Sequence, residues 1–305
     1  MKMIQVILCL ALVAILAINV NAQSIQEKLE KFGVEYAKGY TDPLFGAFGA
    51  SLNSGWYHTA NVDDGVSIFV GMKLMYLPIP DDAKKFTIAS PYDGIQQEIP
   101  TVFGADSEIT ISRTNIPSTI TPSPEKYPKG MNLDFVPLAM PHIAIGNYQG
   151  TRLMLRFFPK TKVGDFGDFE MFGIGAQHNI GNYIPAPLPV DLSAMVAYQS
   201  LKLGTFFDAT SFTFGAQASK TFSFVDLYAG LSYETANMSI GYDATFTDPS
   251  NPTETITQHI GFDAEGKNTV RLTGGFALNL YILKITADYS VASQPVATLG
   301  IGLGW

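Results

Sequence analysis

Most of the chain repeats one pattern that few folds accommodate: apolar and polar residues alternate over runs of nine to twelve positions. Phe212, Phe214, Ala216 and Ala218 share one face of residues 211–219, and Thr213, Gly215, Gln217 and Ser219 share the other. Val225, Leu227, Ala229, Leu231 and Tyr233 alternate with Asp226, Tyr228, Gly230, Ser232 and Glu234. The same period runs through 66–76, 269–280 and 283–291. A period of two is that of a strand with one apolar face. Strands of ~9–11 residues match a tilted membrane strand and are about twice the length usual in soluble sheets.

Alternation alone fits a soluble sandwich, apolar faces inward, or a membrane barrel, apolar faces outward. Strand length and polar faces rich in Gly, Ser and Thr favour the barrel. The expectation is an all-β, antiparallel transmembrane β-barrel of about 12–14 strands, preceded by a short N-terminal amphipathic helix. Twelve strands are placed near 47–59, 64–77, 140–147, 149–158, 166–178, 190–200, 211–220, 224–234, 237–246, 268–279, 281–291 and 295–305. Short turns at 234–237 and 279–282 are assigned to the periplasmic side and loops 179–189 and 247–267 to the outside. Residues 78–132, interrupted by prolines, form an irregular insertion or one further hairpin. The chain ends with Leu299, Ile301, Leu303 and Trp305 at alternate positions, resembling the last-strand signal that the barrel-assembly machinery reads in bacterial outer-membrane proteins.

The amino-terminal end reads as an address. Lys2 precedes an apolar run from Val6 to Ile18 and then Val20-Asn21-Ala22, so residues 1–22 are expected to be a signal peptide cleaved before Gln23. Cys9, the one cysteine, lies inside that run, which leaves no thiol or disulfide chemistry to the mature protein. Within 23–42, a capping-box spacing at Ser24 and Glu27 and apolar residues Ile25, Leu29, Phe32 and Tyr36 predict a helix through about Lys38, either a plug inside the barrel or a helix packed at its rim. The barrel is expected over 43–305. A net charge of −8 without a Lys/Arg cluster excludes nucleic acid as a natural partner.

Three stretches carry a family resemblance: Pro137-Leu138-Ala139-Met140-Pro141, Gly150 to Pro159 and Phe172 to Asn179, joined by Phe48 to Tyr57. They resemble an uncharacterised family of outer-membrane barrels of Bacteroidota and related bacteria, catalogued as a domain of unknown function. The resemblance implies a fold and a location, not an activity. In layout alone, a helix before a barrel is similar to the FadL-type fatty-acid transporters.

If the polar faces point inward, Lys73, Arg152, Arg156, Asp191, Asp226, Glu234, Arg271, Lys284 and Asp288 line the lumen. A tight turn at 280–281 would set Arg271 and Asp288 diagonally across one hairpin. His58, His142, His178 and His259 are scattered, with no metal-ligand spacing. The Gly173-Ile174-Gly175 stretch lacks a third glycine for a nucleotide fingerprint, and no G-x-S-x-G elbow occurs. No catalytic constellation, cofactor or metal site is expected. The sequence points to an outer-membrane barrel, with lipid and the assembly machinery as partners, whose role is passage or binding of a small solute, hydrophobic ones included. The alternatives are a structural or surface-interaction barrel using loops 179–189 and 247–267, and an exported soluble sandwich.

Overall fold

The computed structural model describes residues 34–62, 65–112, 126–162, 167–248 and 251–304. The expected signal peptide 1–22, most of the expected helix at 24–38 and Trp305 lie outside these residues. The described chain opens with helix α1 (Val34–Leu52), followed by an irregular segment, residues 53–62. Then come β1 (Ser67–Pro78), two small hairpins, β2 (Lys85–Ala89) with β3 (Gln96–Pro100) and β4 (Ile109–Thr110) with β5 (Lys126–Tyr127), and ten longer strands. These are β6 (Phe135–Tyr148), β7 (Thr151–Lys162), β8 (Asp168–Asn179), β9 (Asp191–Leu203), β10 (Phe207–Phe222), β11 (Val225–Asp248), β12 (Asn251–Glu265), β13 (Val270–Leu280), β14 (Leu283–Val291) and β15 (Val296–Gly304).

Strands β1, β6 to β11 and β13 to β15 pair in an antiparallel ring, closed where β15 meets β1 and β10 meets β11. The ring therefore has ten strands, with β12 an eleventh that pairs with the upper part of β11, from Asn237 to Asp248. Two of the twelve expected strands account for the difference from the sequence count. Residues 224–234 and 237–246 form one continuous β11, so 234–237 is not a turn. Residues 47–59 are the end of α1 and the irregular segment, not the first strand.

The faces are sorted as a barrel in lipid would have them. Leu231 and Leu272, partners across β11 and β13, are 57% and 56% exposed, and Ile301 on β15 is 48% exposed. The alternate positions, Arg271 and Glu234 among them, are buried inside. The apolar rows thus point outward, the reverse of a sandwich, and the interior is mixed: charged and amide side chains along much of its length, and an apolar cluster around α1 that includes Met75, Met140, Met171 and Leu201.

The two ends of the barrel differ. At one, hairpins turn through two residues, at 149–150, 223–224 and 281–282, and the first residue of each turn has positive φ: Gln149 at 49°, Ser223 at 56° and Tyr281 at 59°. Tight turns of this kind suit the right-handed twist of the strands. Loop 180–190 lies at this end too, so loops 179–189 and 247–267 do not share a side as expected. The other end carries residues 79–112 and 126–134 and the extended β11/β12 hairpin, and α1 packs there against β12, β10 and β2. Glycine permits the close approach: a Cβ on Gly49 would sit 3.0 Å from Ala236 Cβ and 3.2 Å from Gly266 Cα.

Candidate functional site: a lumen closed from within

Residues 53–62 leave α1 and run through the barrel interior toward the turn end, where β1 begins. Every residue from Asn53 to Val62 except Gly55, Tyr57 and Asn61 is fully buried, and those three are half-buried. The barrel wall holds this segment from several strands at once.

Two arginines grip its start. Arg156 on β7 donates to the Leu52 carbonyl at 3.3 Å, the Ser54 carbonyl at 2.6 Å and Gln199 Oε1 at 3.1 Å. Its guanidinium also lies 3.9 Å from the Trp56 ring centre. Arg271 on β13 donates to the Ala50 carbonyl at 2.8 Å and to the Ser54 hydroxyl. The last carbonyls of a helix lack intrahelical donors and carry the negative end of its dipole, so two cations there satisfy both deficits. Glu234 on β11 holds Arg271 by two bonds of 2.7 and 2.9 Å.

Further along, amide and hydroxyl groups join a third arginine. Gln177 on β8 donates to the Thr59 carbonyl at 2.8 Å, and the Ala60 N–H donates to the Ser219 hydroxyl at 2.8 Å. Arg152 donates to the Asn61 carbonyl at 2.9 Å and to Gln177 Oε1 at 3.0 Å, and Asn61 Nδ2 reaches Asp191 at 3.3 Å. Trp56 and Tyr57 fill the width: Trp56 packs beside His142, and Tyr57 meets Tyr228 edge-on at 5.8 Å. Gly230 makes room for Tyr57, since a Cβ there would overlap its hydroxyl.

The nine residues expected to line the lumen are placed as follows. Lys73, Arg152, Arg156, Asp226, Glu234, Arg271 and Asp288 are buried, and Asp191 and Lys284 are half-buried at the turn end. Arg271 and Asp288 are not partners. The turn falls at Tyr281-Ile282, so Asp288 faces Gly275, four positions along the strand from Arg271 or about 13 Å at ~3.3 Å per residue. Asp288 instead accepts from the Tyr228 hydroxyl at 3.0 Å, and Lys73 donates to Thr286 at 3.0 Å. Among the expected assembly-signal residues, Leu299 and Ile301 are exposed on the outer face and Leu303 is half-buried. Sequence reasoning missed Gln177 and Gln199, which share the polar faces of the charged residues: Arg152 pairs in register with Gln177, and Gly173, the partner of Arg156, with Gln199.

Among solved structures, the chain is similar to the translocator domain of the autotransporter NalP from Neisseria meningitidis, at 10% identity over 89% of this chain and 97% of that one, with a TM-score of 0.32. It is also similar to Ail of Yersinia pestis, at 11% identity over 79% and 97% with a TM-score of 0.21, and to a loop-deleted OmpT of Vibrio cholerae, at 11% over 79% and 100% with a TM-score of 0.25. At such scores these likenesses add no argument to the barrel seen directly. No curated protein matches the sequence. A family model spans residues 1–305, and the chain belongs to that family, a family of unknown function designated DUF6588.

Proposed function

We propose that this protein is a bacterial outer-membrane barrel with its lumen closed by its own leading segment, acting through the surface assembled at the loop end and not as an open pore. The observation that supports this is the seating of residues 53–62, tied to three wall strands by Arg152 and Arg156 of β7, Gln177 of β8 and Arg271 of β13. Passive passage of a solute would require those bonds to break together. The loop-end surface comprises α1, residues 79–112 and 126–134 and the β11/β12 hairpin. On this reading it faces outward from the cell, because bacterial barrels keep their tight turns on the periplasmic side. Residues 1–22 direct export, and Leu299, Ile301, Leu303 and Trp305 engage the assembly machinery.

The test uses the single-cysteine sequence. Gln96→Cys at the loop end and Tyr281→Cys at the turn end place one reactive thiol each on an exposed position of the mature chain. On intact cells a membrane-impermeant maleimide labels Gln96→Cys and spares Tyr281→Cys. Purified full-length protein in a planar bilayer shows no steady conductance. Reversed labelling would sink the orientation, and a stable open-channel current would sink the closed lumen.

A further inference from the structure

At the turn end, the interior beyond His58, Thr59 and Asn61 is not filled. A cavity of about 280 Å³ remains, with these three residues as its floor and Arg152, Asp226, Asn279 and Lys284 on its walls. Its chemistry is unbalanced in a specific way. Arg152 and Lys284 are both cationic, yet among the described residues neither has a carboxylate within ion-pair distance. Arg152 is bonded to an amide oxygen and a backbone carbonyl, and Lys284 Nζ to Asn279 Oδ1 at 2.8 Å. Asp226, 6% exposed, uses Oδ2 to accept from Asn279 at 3.0 Å, while its Oδ1 has no hydrogen-bond partner. His58 Nδ1 at the floor is likewise unpartnered. Buried carboxylate oxygens and ring nitrogens are ordinarily satisfied, and orphans at the wall of a polar cavity point to a molecule that satisfies them.

We propose that this vestibule binds a small zwitterion of amino-acid size. Its carboxylate meets Lys284 and Arg152, and its ammonium donates to Asp226. A ligand of either sign alone would leave one half of the lining uncompensated. The volume admits a molecule of that size. This inference goes beyond the closed-lumen reading and does not depend on what the loop-end surface contacts.

Full-length protein in detergent micelles would be titrated with alanine and glutamine, with alaninamide, which lacks the carboxylate, and with N-acetylalanine, which lacks the ammonium, using saturation-transfer NMR and calorimetry. The two zwitterions bind, and each one-charge analogue binds about tenfold more weakly or less, the loss of one charge-assisted contact. Lys284→Met abolishes the preference over alaninamide, and Asp226→Asn the preference over N-acetylalanine, with heat-modifiable gel migration retained as the sign of a folded barrel. The wild-type panel stands even where a variant does not fold. Equal binding of all four probes, or binding of none, would overturn the proposal. Loss of binding would leave the labelling pattern and the conductance result untouched, so the two readings fail separately.

Discussion

The Arg156 guanidinium lies over the Trp56 ring, 3.9 Å from its centre, and the same guanidinium holds the Leu52 and Ser54 carbonyls, four and two residues before that tryptophan. One wall residue therefore fixes both the end of α1 and the first aromatic inside the lumen. Arg156→Ala leaves the Ser54 carbonyl without a donor in a site that excludes water, and the Leu52 carbonyl with the Trp56 indole N–H alone, at 3.1 Å. The expected loss is about 3–5 kcal/mol, from an unsatisfied carbonyl at roughly 1–3 and a desolvated cation–π contact of about 2. In a Trp305→Phe background, where Trp56 is the only indole, its emission shifts to the red and the temperature of the heat-modifiable transition falls. Unchanged emission would mean that Arg156 does not position the segment.

Glu234 and Arg271 form a two-bonded pair, both nearly inaccessible to solvent. Removing one partner strands the other's charge, whereas removing both removes the stranded charge as well. Glu234→Met is expected to cost about 3–5 kcal/mol, and adding Arg271→Met to recover part of that loss despite breaking the contacts to Ala50 and Ser54. A double-mutant cycle by urea titration in liposomes measures the coupling. Strictly additive losses would show that the pair acts as two independent residues.

Lipid should feel the outward face. Leu231→Arg places a charge on an exposed apolar row paired with Leu272. Near the bilayer midplane such a charge costs about 2–4 kcal/mol in a membrane barrel. The loss is read from folding into phospholipid vesicles, with Leu280→Arg, on the same outward face at the end of β13 beside its turn, as the mild control. Equal stability of the two variants would place Leu231 away from the hydrocarbon.

Which parts of this structure were legible beforehand follows from the length scale of each interaction. The strands β7 to β11 and β13 to β15 announce themselves because every second residue meets lipid, a signal written locally. The end of α1 does not. Its Gly46, Ala47, Gly49 and Ala50 have either poor helix propensity or no apolar bulk, and the helix holds by packing on Ala236 and Gly266, far away in sequence. Residues 47–59 therefore imitate a small-residue strand. The continuity of β11 past Asn237 was hidden likewise, since Gly266 to Thr269 break the partner strand while β11 runs straight on. Charged lumen residues could be named singly from alternation. Their partners could not, because a shift of turn from 280–281 to Tyr281-Ile282 carries Asp288 away from Arg271, whose partner Glu234 comes from β11 on the other side of β13.

A last expectation concerns alkali. Tyr36 and Tyr40 on α1 stack at 5.7 Å, and Tyr36 stacks on Tyr127 of β5 at 5.9 Å. Tyr40 also donates to the Lys129 carbonyl at 2.9 Å. Burial pushes the Tyr40 hydroxyl up to about 12. Burial raises Tyr36 and Tyr127 as well, with neighbouring phenolates adding to the rise at Tyr36. A phenol harder to ionise folded than unfolded stabilises the folded form fully below the unfolded value near 10, and that contribution is lost as pH climbs toward 12. The contact of α1 with residues 79–112 and 126–134 is therefore expected to loosen between pH 10 and 12 while the barrel strands persist. Tyrosinate absorbance should rise in two steps, the second belonging to this cluster, and protease cleavage within residues 79–112 and 126–134 should increase with that second step. Tyr36→Phe, which cannot ionise, moves that second step to higher pH. A single absorbance step near 10, with no change in cleavage, would show that the cluster does not hold the loop-end surface together.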